Sequence, residues 1–214
     1  MKPTVSTILE ELLDRYTQLS VCRAQIQQAF ELLKECYQNN HKLLLCGNGG
    51  SAADCEHIVG ELLKGFRLKR QLPQEHNQRL TDAFDNGEFL ADHLQRALPA
   101  ISLVGQISLN SAFINDVAAE LVFAQGVYGL GDAGDVVIGI STSGNSKNVV
   151  NAFKVAKAFQ MKTIGFTGSL GGEMRSLSDV CLSVPESETY LVQEYHLPVY
   201  HALCAMLEEE FFGS

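Results

Sequence analysis

The sequence has no long apolar run, no excess of positive charge and no closely spaced cysteine pair. No stretch of roughly 18 apolar residues occurs, which argues against a membrane-spanning helix. The N-terminal region becomes an amphipathic helical pattern with Glu10, Glu11 and Asp14, unlike a signal peptide. The net charge of −9 disfavours nucleic acid and anionic membranes as partners.

The six cysteines, at positions 22, 36, 46, 55, 181 and 204, form no CxxC pair. This usage indicates reduced thiols and a cytoplasmic protein rather than a disulfide framework. The chain has 214 residues, 46% of them hydrophobic and 19% charged, which is typical of a globular domain with a substantial core. We therefore expect one domain over residues 1–214.

Two nucleotide-binding motifs are also missing. The Walker pattern, GxxxxGK followed by Ser or Thr, occurs nowhere in the chain. Residues 47–51 contain GxG but lack the later glycine of a dinucleotide-binding fingerprint. Nucleoside triphosphates and nicotinamide cofactors are therefore disfavoured as ligands.

The sequence does contain two short Ser/Gly-rich turns, CGNGGS at 46–51 and ISTSGNS at 140–146. Each follows an apolar, strand-like run and leads into a helical pattern. Glycines let the backbone approach a ligand, amides at a helix start point toward an anion, and hydroxyl groups donate hydrogen bonds. Two such turns on one sheet indicate a phosphorylated small molecule. We expect Ser51 to cap the helix after the first turn.

Strand-like and helical patterns alternate along the chain, which predicts an α/β fold with a doubly wound, mostly parallel sheet. Two amphipathic helices occupy residues 1–40. A long terminal helix covers 188–211, and Pro198 should kink it or end its first segment. In such sheets, ligands lie beyond the carboxyl ends of the strands, where both turns fall. The five predicted strands are 42–46, 97–103, 136–140, 163–167 and 180–184.

Residues 66–98 are predicted to form a polar excursion with one short helix near 87–96. The basic cluster RLKR at 67–70 is interpreted as a solvated loop face. The acidic run EEE at 208–210 is interpreted as a solvated helix end. The N-terminal helices and the long terminal helix exceed what a five-stranded core needs, so they are candidates for subunit packing.

Two pairs of side chains could carry chemistry beside a phosphate. His57 and Glu61 are four residues apart in the helix after the first turn, so they project from one face. Gln193 and His201 are eight residues apart in the terminal helix. Each pair alone is also typical of an ordinary surface pair or a polar stripe. Together they could ligate one divalent metal, or an imidazole and a carboxylate could act as acid and base, and these roles compete.

The ordered set of motifs resembles the sugar isomerase (SIS) domain family and, within it, the phosphoheptose isomerase group. The resemblance covers nearly the whole chain, although the stretch between Glu61 and Asn115 is longer than is usual in that family. It implies a five-stranded parallel sheet between helices and a homotetramer with active sites at subunit interfaces. The motifs that carry it are CGNGGSAAD at 46–54 with His57 and Glu61, GDVVIGISTSGNS at 134–146, and QEYH at 193–196 with His201.

The resemblance also implies an activity and a role for each matching residue. The reaction would convert sedoheptulose 7-phosphate to D-glycero-D-manno-heptose 7-phosphate, with one zinc ion per subunit. Glu61 and His201 would be the catalytic base and acid. The implied metal ligands are His57, Glu61, Gln193 and His201. The implied substrate-binding residues are Asn48, Gly49, Gly50, Ser51, Glu61, Asn115, Asp116, Ser141, Thr142, Ser143, Ser146 and Gln193.

The leading hypothesis is an aldose–ketose isomerase that acts on a sugar phosphate through a cis-enediol intermediate. A second hypothesis is a non-catalytic SIS protein, either a sugar-phosphate sensor or a scaffold that associates with the replication initiator. Relatives of that kind tend to lose the acid, base or metal positions, which this chain keeps. An isomerase for another sugar phosphate would use the same residues.

Overall fold

The computed structural model describes residues 2–213, which form one sheet with helices on both faces. The strands are β1 (Leu43–Gly47), β2 (Ala100–Ser102), β3 (Val136–Ile140), β4 (Lys162–Thr167) and β5 (Val180–Ser183). The helices are α1 (Pro3–Arg15), α2 (Arg23–Gln38), α3 (Gly50–Leu63), α4 (Gln74–Ala83), α5 (Gly87–His93), α6 (Ile107–Asp116), α7 (Val122–Leu130), α8 (Lys147–Ala158), α9 (Met174–Leu177) and α10 (Thr189–Phe212). Short 3₁₀ segments cover Thr17–Cys22 and Ala119–Leu121.

The five strands are all parallel and lie in the order β2-β1-β3-β4-β5. The predicted doubly wound α/β fold is therefore confirmed. Every residue of β1 and of β3 is buried, as expected for parallel strands covered on both faces. β2 has three residues and is shorter than the predicted strand at 97–103.

Alternating side chains of β1 supply two separate apolar layers. Leu43 and Leu45 pack in the layer formed with α1, α2, α3 and α10. Leu44 and Cys46 pack in the layer formed with α7, α8 and α9. This alternation follows from the two-residue period of a strand. It allows helices on both faces to hold the carboxyl ends of β1 and β3 in place.

The terminal helix α10 runs without interruption from Thr189 to Phe212, with Pro198 inside it. The expectation that Pro198 ends a first segment is therefore wrong. A proline costs the helix one backbone hydrogen bond, but packing of an apolar face contributes most of the stability of a helix in a protein. Pro198 itself is buried, as are most residues after it in α10. Neither α10 nor any other helix within residues 2–213 is long and apolar enough to cross a membrane.

Ser51 does not cap the helix after the first turn. The N-cap position of α3 is Gly49, and no side chain bonds the free amides there. Ser51 lies inside the first turn of α3 and is only 3% exposed. The expectation failed because the helix begins at Gly50, one residue before Ser51, and a residue within the helix cannot be its N-cap.

The excursion at 66–98 contains two helices, α4 and α5, where one was predicted. The predicted helix near 87–96 corresponds to α5. The additional helix, α4, has no buried residue and therefore no apolar face that could signal it in the sequence. The two helices pack against each other as a small hairpin.

Arg70 and Glu208 form a buried ion pair at the base of this excursion. Each is 1% exposed, and Arg70 Nε donates to Glu208 Oε1 over 2.8 Å. The other guanidinium nitrogens donate to the carbonyls of Glu61 and Leu62 over 2.9 and 2.6 Å. Glu208 also accepts from the backbone amides of residues 66–68. The interpretation of 67–70 and 208–210 as solvated is therefore wrong for Arg70 and Glu208. Both can be buried because the charge of each is neutralised by the other.

Candidate active site

Both Ser/Gly turns lie at the point where the strand order of the sheet reverses. β1 and β3 are neighbours, with Gly47 opposite Ile140 at their carboxyl ends. The chain continues from β1 to one side of the sheet and from β3 to the other. Open parallel α/β sheets bind ligands in the crevice at such a switch point. The two turns therefore border one crevice.

The first turn is fastened to the helix that follows the second turn. The amides of Asn48 and Asn148 exchange two hydrogen bonds of 3.0 and 2.9 Å. Gly49 has φ +57°, a conformation that a residue with a side chain rarely adopts. A cavity of about 290 Å³ opens beside this turn, lined by these three residues together with Asn110 and Phe123. The predicted sugar-contacting residues Asn48 and Gly49 thus face an open space.

The second turn brings three serine hydroxyl groups together. Ser141 Oγ lies 2.9 Å from Ser146 Oγ and 3.5 Å from Ser143 Oγ. The backbone amide of Asn145 donates to Ser143 Oγ over 3.2 Å. Ser146 occupies the N-cap position of α8, so the hydroxyl cluster lies at the positive end of that helix. This arrangement can hold an anion.

The glycine-containing loop that follows β4 packs against the second turn. The amide of Gly168 donates to the carbonyl of Thr142 over 2.9 Å. Gly144 has φ +68°, and a Cβ there would overlap the carbonyl oxygen of Gly171. A Cβ on Gly172 would likewise overlap the backbone of Gly144, so the close approach of the two backbones explains why glycine occupies positions 144 and 172.

Three of the four predicted metal-binding side chains meet beside α3 and α10. His57 Nε2 lies 3.3 Å from Glu61 Oε1 and 3.5 Å from His201 Nε2. Their convergence results from the side-by-side packing of α3 and α10. Lys64 Nζ contacts the other carboxylate oxygen of Glu61 over 3.2 Å. Glu61 is 13% exposed at its side chain, against 43% for His57, so the carboxylate is the more sheltered group.

The fourth residue, Gln193, lies at the other end of the contact between the two helices. A Cβ on Gly50 would be 2.5 Å from Gln193 Nε2, which places the glutamine amide against the start of α3. Gly50 precedes His57 by seven residues, roughly 10 Å along a helix. The structure therefore places Gln193 beside the first turn and not beside His57.

Asn115 and Asp116 lie at the end of α6, where they are exposed. Asn115 Nδ2 donates to Asp116 Oδ1 over 2.8 Å. The cavity beside the first turn is lined by the neighbouring Ile114 but by neither of these two residues. Within one subunit the structure does not bring this pair to His57.

Burial controls the charge of the groups around His57. It lowers the pKa of the His201 imidazole, an effect that His57 reinforces and Glu61 opposes. It raises the pKa of the Asp54 carboxyl group, against the hydrogen bond from Tyr200. It also raises the pKa of the Tyr200 hydroxyl group, which lies beside Asp54. A neutral His201 and a neutral Tyr200 are therefore favoured near neutral pH.

The sequence analysis missed two polar residues of this cluster, Asp54 and Tyr200. Tyr200 Oη lies 3.0 Å from His57 Nδ1 and donates to Asp54 Oδ1 over 3.2 Å. Asp54 precedes His57 by three residues, so helical spacing could have placed it on the same face of α3. No local pattern signals Tyr200, whose contact with His57 spans 143 residues of sequence.

The cluster is close to a metal-binding geometry without being a finished metal site. Four ligands at 2.0–2.1 Å from a tetrahedral zinc ion lie about 3.3–3.4 Å from one another. The measured separations of 3.3 Å for His57–Glu61 and 3.5 Å for His57–His201 are near that value. Among residues 2–213, no group of three His, Cys, Asp or Glu side chains is already arranged to hold a metal ion. A bound cation would therefore require side-chain adjustment.

Known proteins match the chain over most of its length. Two family models described as SIS domain match it, one over residues 9–94 and one over residues 106–207. The phosphoheptose isomerase of Clostridium acetobutylicum is 41% identical over 190 residues, covering 89% of this chain and 84% of that protein.

Two solved structures are similar to the fold described above. The phosphoheptose isomerase of Neisseria gonorrhoeae matches with a TM-score of 0.73 and 32% identity, covering 96% of this chain and 97% of the other. The phosphoheptose isomerase of Francisella tularensis matches with a TM-score of 0.75 and 27% identity, with the same coverage of 96% and 97%.

Proposed function

The chain belongs to the phosphoheptose isomerase group of the SIS domain family, and on that premise we propose that it isomerises sedoheptulose 7-phosphate to D-glycero-D-manno-heptose 7-phosphate. The observation that carries the proposal is that Glu61 and His201 each lie within 3.5 Å of His57 Nε2. A non-catalytic sensor or scaffold is not favoured, because the three relatives reported above are named phosphoheptose isomerases and this chain has a carboxylate and an imidazole at Glu61 and His201.

The phosphate would bind at the second turn. Ser141, Ser143 and Ser146 supply converging hydroxyl donors, and the start of α8 supplies amides and a positive dipole end. These groups can hold an anion although the chain carries a net charge of −9. Asn48 and Gly49 would border the sugar carbons, because the first turn opens onto the neighbouring cavity.

Proton transfer would be carried by Glu61 and His201. Glu61 would take a proton from C1 of the ketose, giving a cis-enediol, and return it to C2. His201 would move a proton from the C1 hydroxyl oxygen to the former carbonyl oxygen at C2. Burial lowers the pKa of His201, which keeps its imidazole neutral and able both to accept and to donate.

We also propose a zinc ion at this cluster, held by His57, Glu61, Gln193 and His201. The distances from His57 Nε2 to Glu61 and to His201, 3.3 and 3.5 Å, are close to the distance between two ligands of a tetrahedral zinc ion. They support these three residues as ligands. Gln193 would have to leave its position against Gly50 to join them. When bound, zinc would supply positive charge that stabilises the enediolate. His201 cannot hold zinc and transfer a proton through the same nitrogen, so these two roles of His201 are alternatives, and Glu61 carries the carbon proton in either case.

The homotetramer and the cytoplasmic location complete the proposal. α6 has no buried residue, and Ile107, Ile114 and Val117 on or next to it are 79%, 51% and 63% exposed. Apolar side chains grouped in this way favour coverage by another subunit. Such coverage would bring Asn115 and Asp116 toward a neighbouring subunit.

The six cysteines are all free thiols, which agrees with a reducing compartment.

Replacing Glu61 with Gln tests the proton-transfer role. We expect kcat on sedoheptulose 7-phosphate to fall by about 10²–10⁴-fold, the usual contribution of a general base. The dissociation constant of the sugar phosphate should stay within a few-fold, because the phosphate is held by the second turn. In D₂O the wild-type aldose product should carry deuterium at C2, since the proton passes through an exchangeable carboxyl group.

The matched control is Glu56→Gln on the same helix. Glu56 precedes His57 in the chain, but its side chain accepts a hydrogen bond from Ser102 on β2 over 2.7 Å, so its variant should keep near wild-type turnover. Wild-type turnover by Glu61→Gln would rule the mechanism out. Turnover of fructose 6-phosphate or ribulose 5-phosphate in place of the heptulose would keep the isomerase chemistry and overturn the substrate.

A further inference from the structure

We propose that Asp54 and Tyr200 are positioning residues that hold His57 in the tautomer protonated on Nδ1. The Nε2 lone pair of His57 then faces Glu61 and His201, where the reaction is proposed to occur. The inference deepens the proposed function and rests on it for the use of that lone pair. The tautomer itself follows from hydrogen bonds within the described chain.

The direction of the hydrogen bonds determines where the imidazole proton lies. Tyr200 Oη donates its only proton to Asp54 Oδ1 over 3.2 Å, because an ionised carboxylate can only accept. The same Oη lies 3.0 Å from His57 Nδ1 and is left with acceptor lone pairs. His57 Nδ1 must therefore carry the proton of this second hydrogen bond. In a neutral imidazole, Nε2 is then unprotonated.

Packing fixes the position of the Tyr200 hydroxyl oxygen between Asp54 and His57. Tyr200 is 2% exposed. Its ring packs edge-to-face on His57, with centroids 5.6 Å apart, and on His201, with centroids 4.9 Å apart. Asp54 lies one helical turn before His57 on α3, so its carboxylate is held by the same helix as the imidazole. The three groups form a relay from Asp54 through Tyr200 to His57.

The relay leaves His57 Nε2 as an acceptor in the middle of the cluster. Nε2 lies 3.3 Å from a carboxylate oxygen of Glu61 and 3.5 Å from His201 Nε2. A lone pair beside a carboxylate is unfavourable unless a positive group or a donor lies between them or beside them. A proton on His201 Nε2 or a bound cation can fill that place. The Asp54–Tyr200 pair thus prepares the cluster to receive a positive charge.

The first test measures the His57 tautomer in the metal-free protein. Long-range ¹H–¹⁵N spectra of ¹⁵N-histidine-labelled protein, recorded at a pH where His57 is neutral, distinguish the two tautomers. His57→Gln assigns the signal. We expect the pattern of an Nδ1-protonated ring. A ring protonated on Nε2 would overturn the inference whether or not the protein is an isomerase.

The second test removes the tyrosine hydroxyl group with Tyr200→Phe. We expect His57 to lose its single tautomer and the affinity for Co²⁺, followed by its visible absorption, to fall about 10–100-fold. Tyr37→Phe is the matched control, because Tyr37 is a buried tyrosine whose hydroxyl group donates to the Pro99 carbonyl over 3.3 Å, away from the cluster. Equal Co²⁺ affinity in Tyr200→Phe and in Tyr37→Phe would contradict the inference.

A third variant, Asp54→Asn, should invert the relay. An asparagine amide can donate to Tyr200 Oη, and the hydroxyl proton would then turn to His57 Nδ1. We expect the His57 signal to shift toward the Nε2-protonated pattern; an unchanged signal counts against the relay. Absence of Co²⁺ binding by the wild-type protein would refute the proposed metal, and the tautomer measurement would then decide the present inference alone.

Discussion

Replacing Glu208 with Ala should destabilise the protein strongly. Glu208 is 1% exposed and accepts four hydrogen bonds of 2.7–3.1 Å. Three come from the backbone amides of residues 66–68, and the fourth comes from Arg70 Nε. Within residues 2–213, no other carboxylate is paired with the Arg70 guanidinium, which is itself 1% exposed. Removing Glu208 therefore leaves a buried positive charge and three amides without an acceptor.

The size of the loss can be worked out from this contact set. Breaking a buried ion pair by removing one partner costs about 3–5 kcal/mol, because the remaining charge is neither solvated nor neutralised. For a chain of this length, each 1 kcal/mol lowers Tm by about 2–4 °C. The expected fall in Tm for Glu208→Ala is therefore about 6–20 °C.

The assay is thermal and urea unfolding followed by circular dichroism at one protein concentration. Glu209→Ala is the control, because Glu209 is adjacent in α10, partly exposed and not part of this ion pair. The control should change the free energy of unfolding by no more than about 0.5 kcal/mol. A loss below about 1 kcal/mol for Glu208→Ala would show that Arg70 finds solvent or another partner, and would refute the reasoning.

Two further predictions concern pH and the second turn. Burial lowers the pKa of His196 from its ordinary 6.5 to about 4, so the unfolded chain takes up this proton first as the pH falls. Its contribution to stability should be complete above pH 6.5 and lost between pH 6.5 and 4, at up to about 1.4 kcal/mol per pH unit. His196→Leu should flatten urea-unfolding stability across that window, and an unchanged slope would contradict the assignment. Gly144→Ala should cost about 1–2 kcal/mol from its positive φ alone and raise KM for the sugar phosphate, because a Cβ would push on Gly171. The control is Gly129→Ala, which should not destabilise the protein because a Cβ there would meet no atom within 4 Å. Equal KM values for Gly144→Ala and Gly129→Ala would count against a phosphate site at the second turn.

The sequence was sufficient to predict the α/β class and the place of both turns. Strand and helix patterns alternate, and parallel strands buried on both faces appear as short apolar runs, so β3 was predicted at its observed bounds, Val136–Ile140. Four-residue spacing on a helix was also enough to place His57 and Glu61 on one face, where their side chains are 3.3 Å apart. These properties are local, so they can be recognised along the chain without knowing what packs against it.

Other features depended on contacts between distant segments, and only the tertiary structure decided them. The sequence pattern predicts solvated charges at Arg70 and Glu208, but a contact between these two residues, 138 positions apart, buries both. The relay from Asp54 to Tyr200 spans 146 residues. Pro198 fits within α10 because the surrounding core holds that helix on both sides of the proline. The sequence alone determined which side chains share a helix face or follow a strand. Which faces meet is set by the packing of α3 against α10, and no local periodicity encodes that pairing.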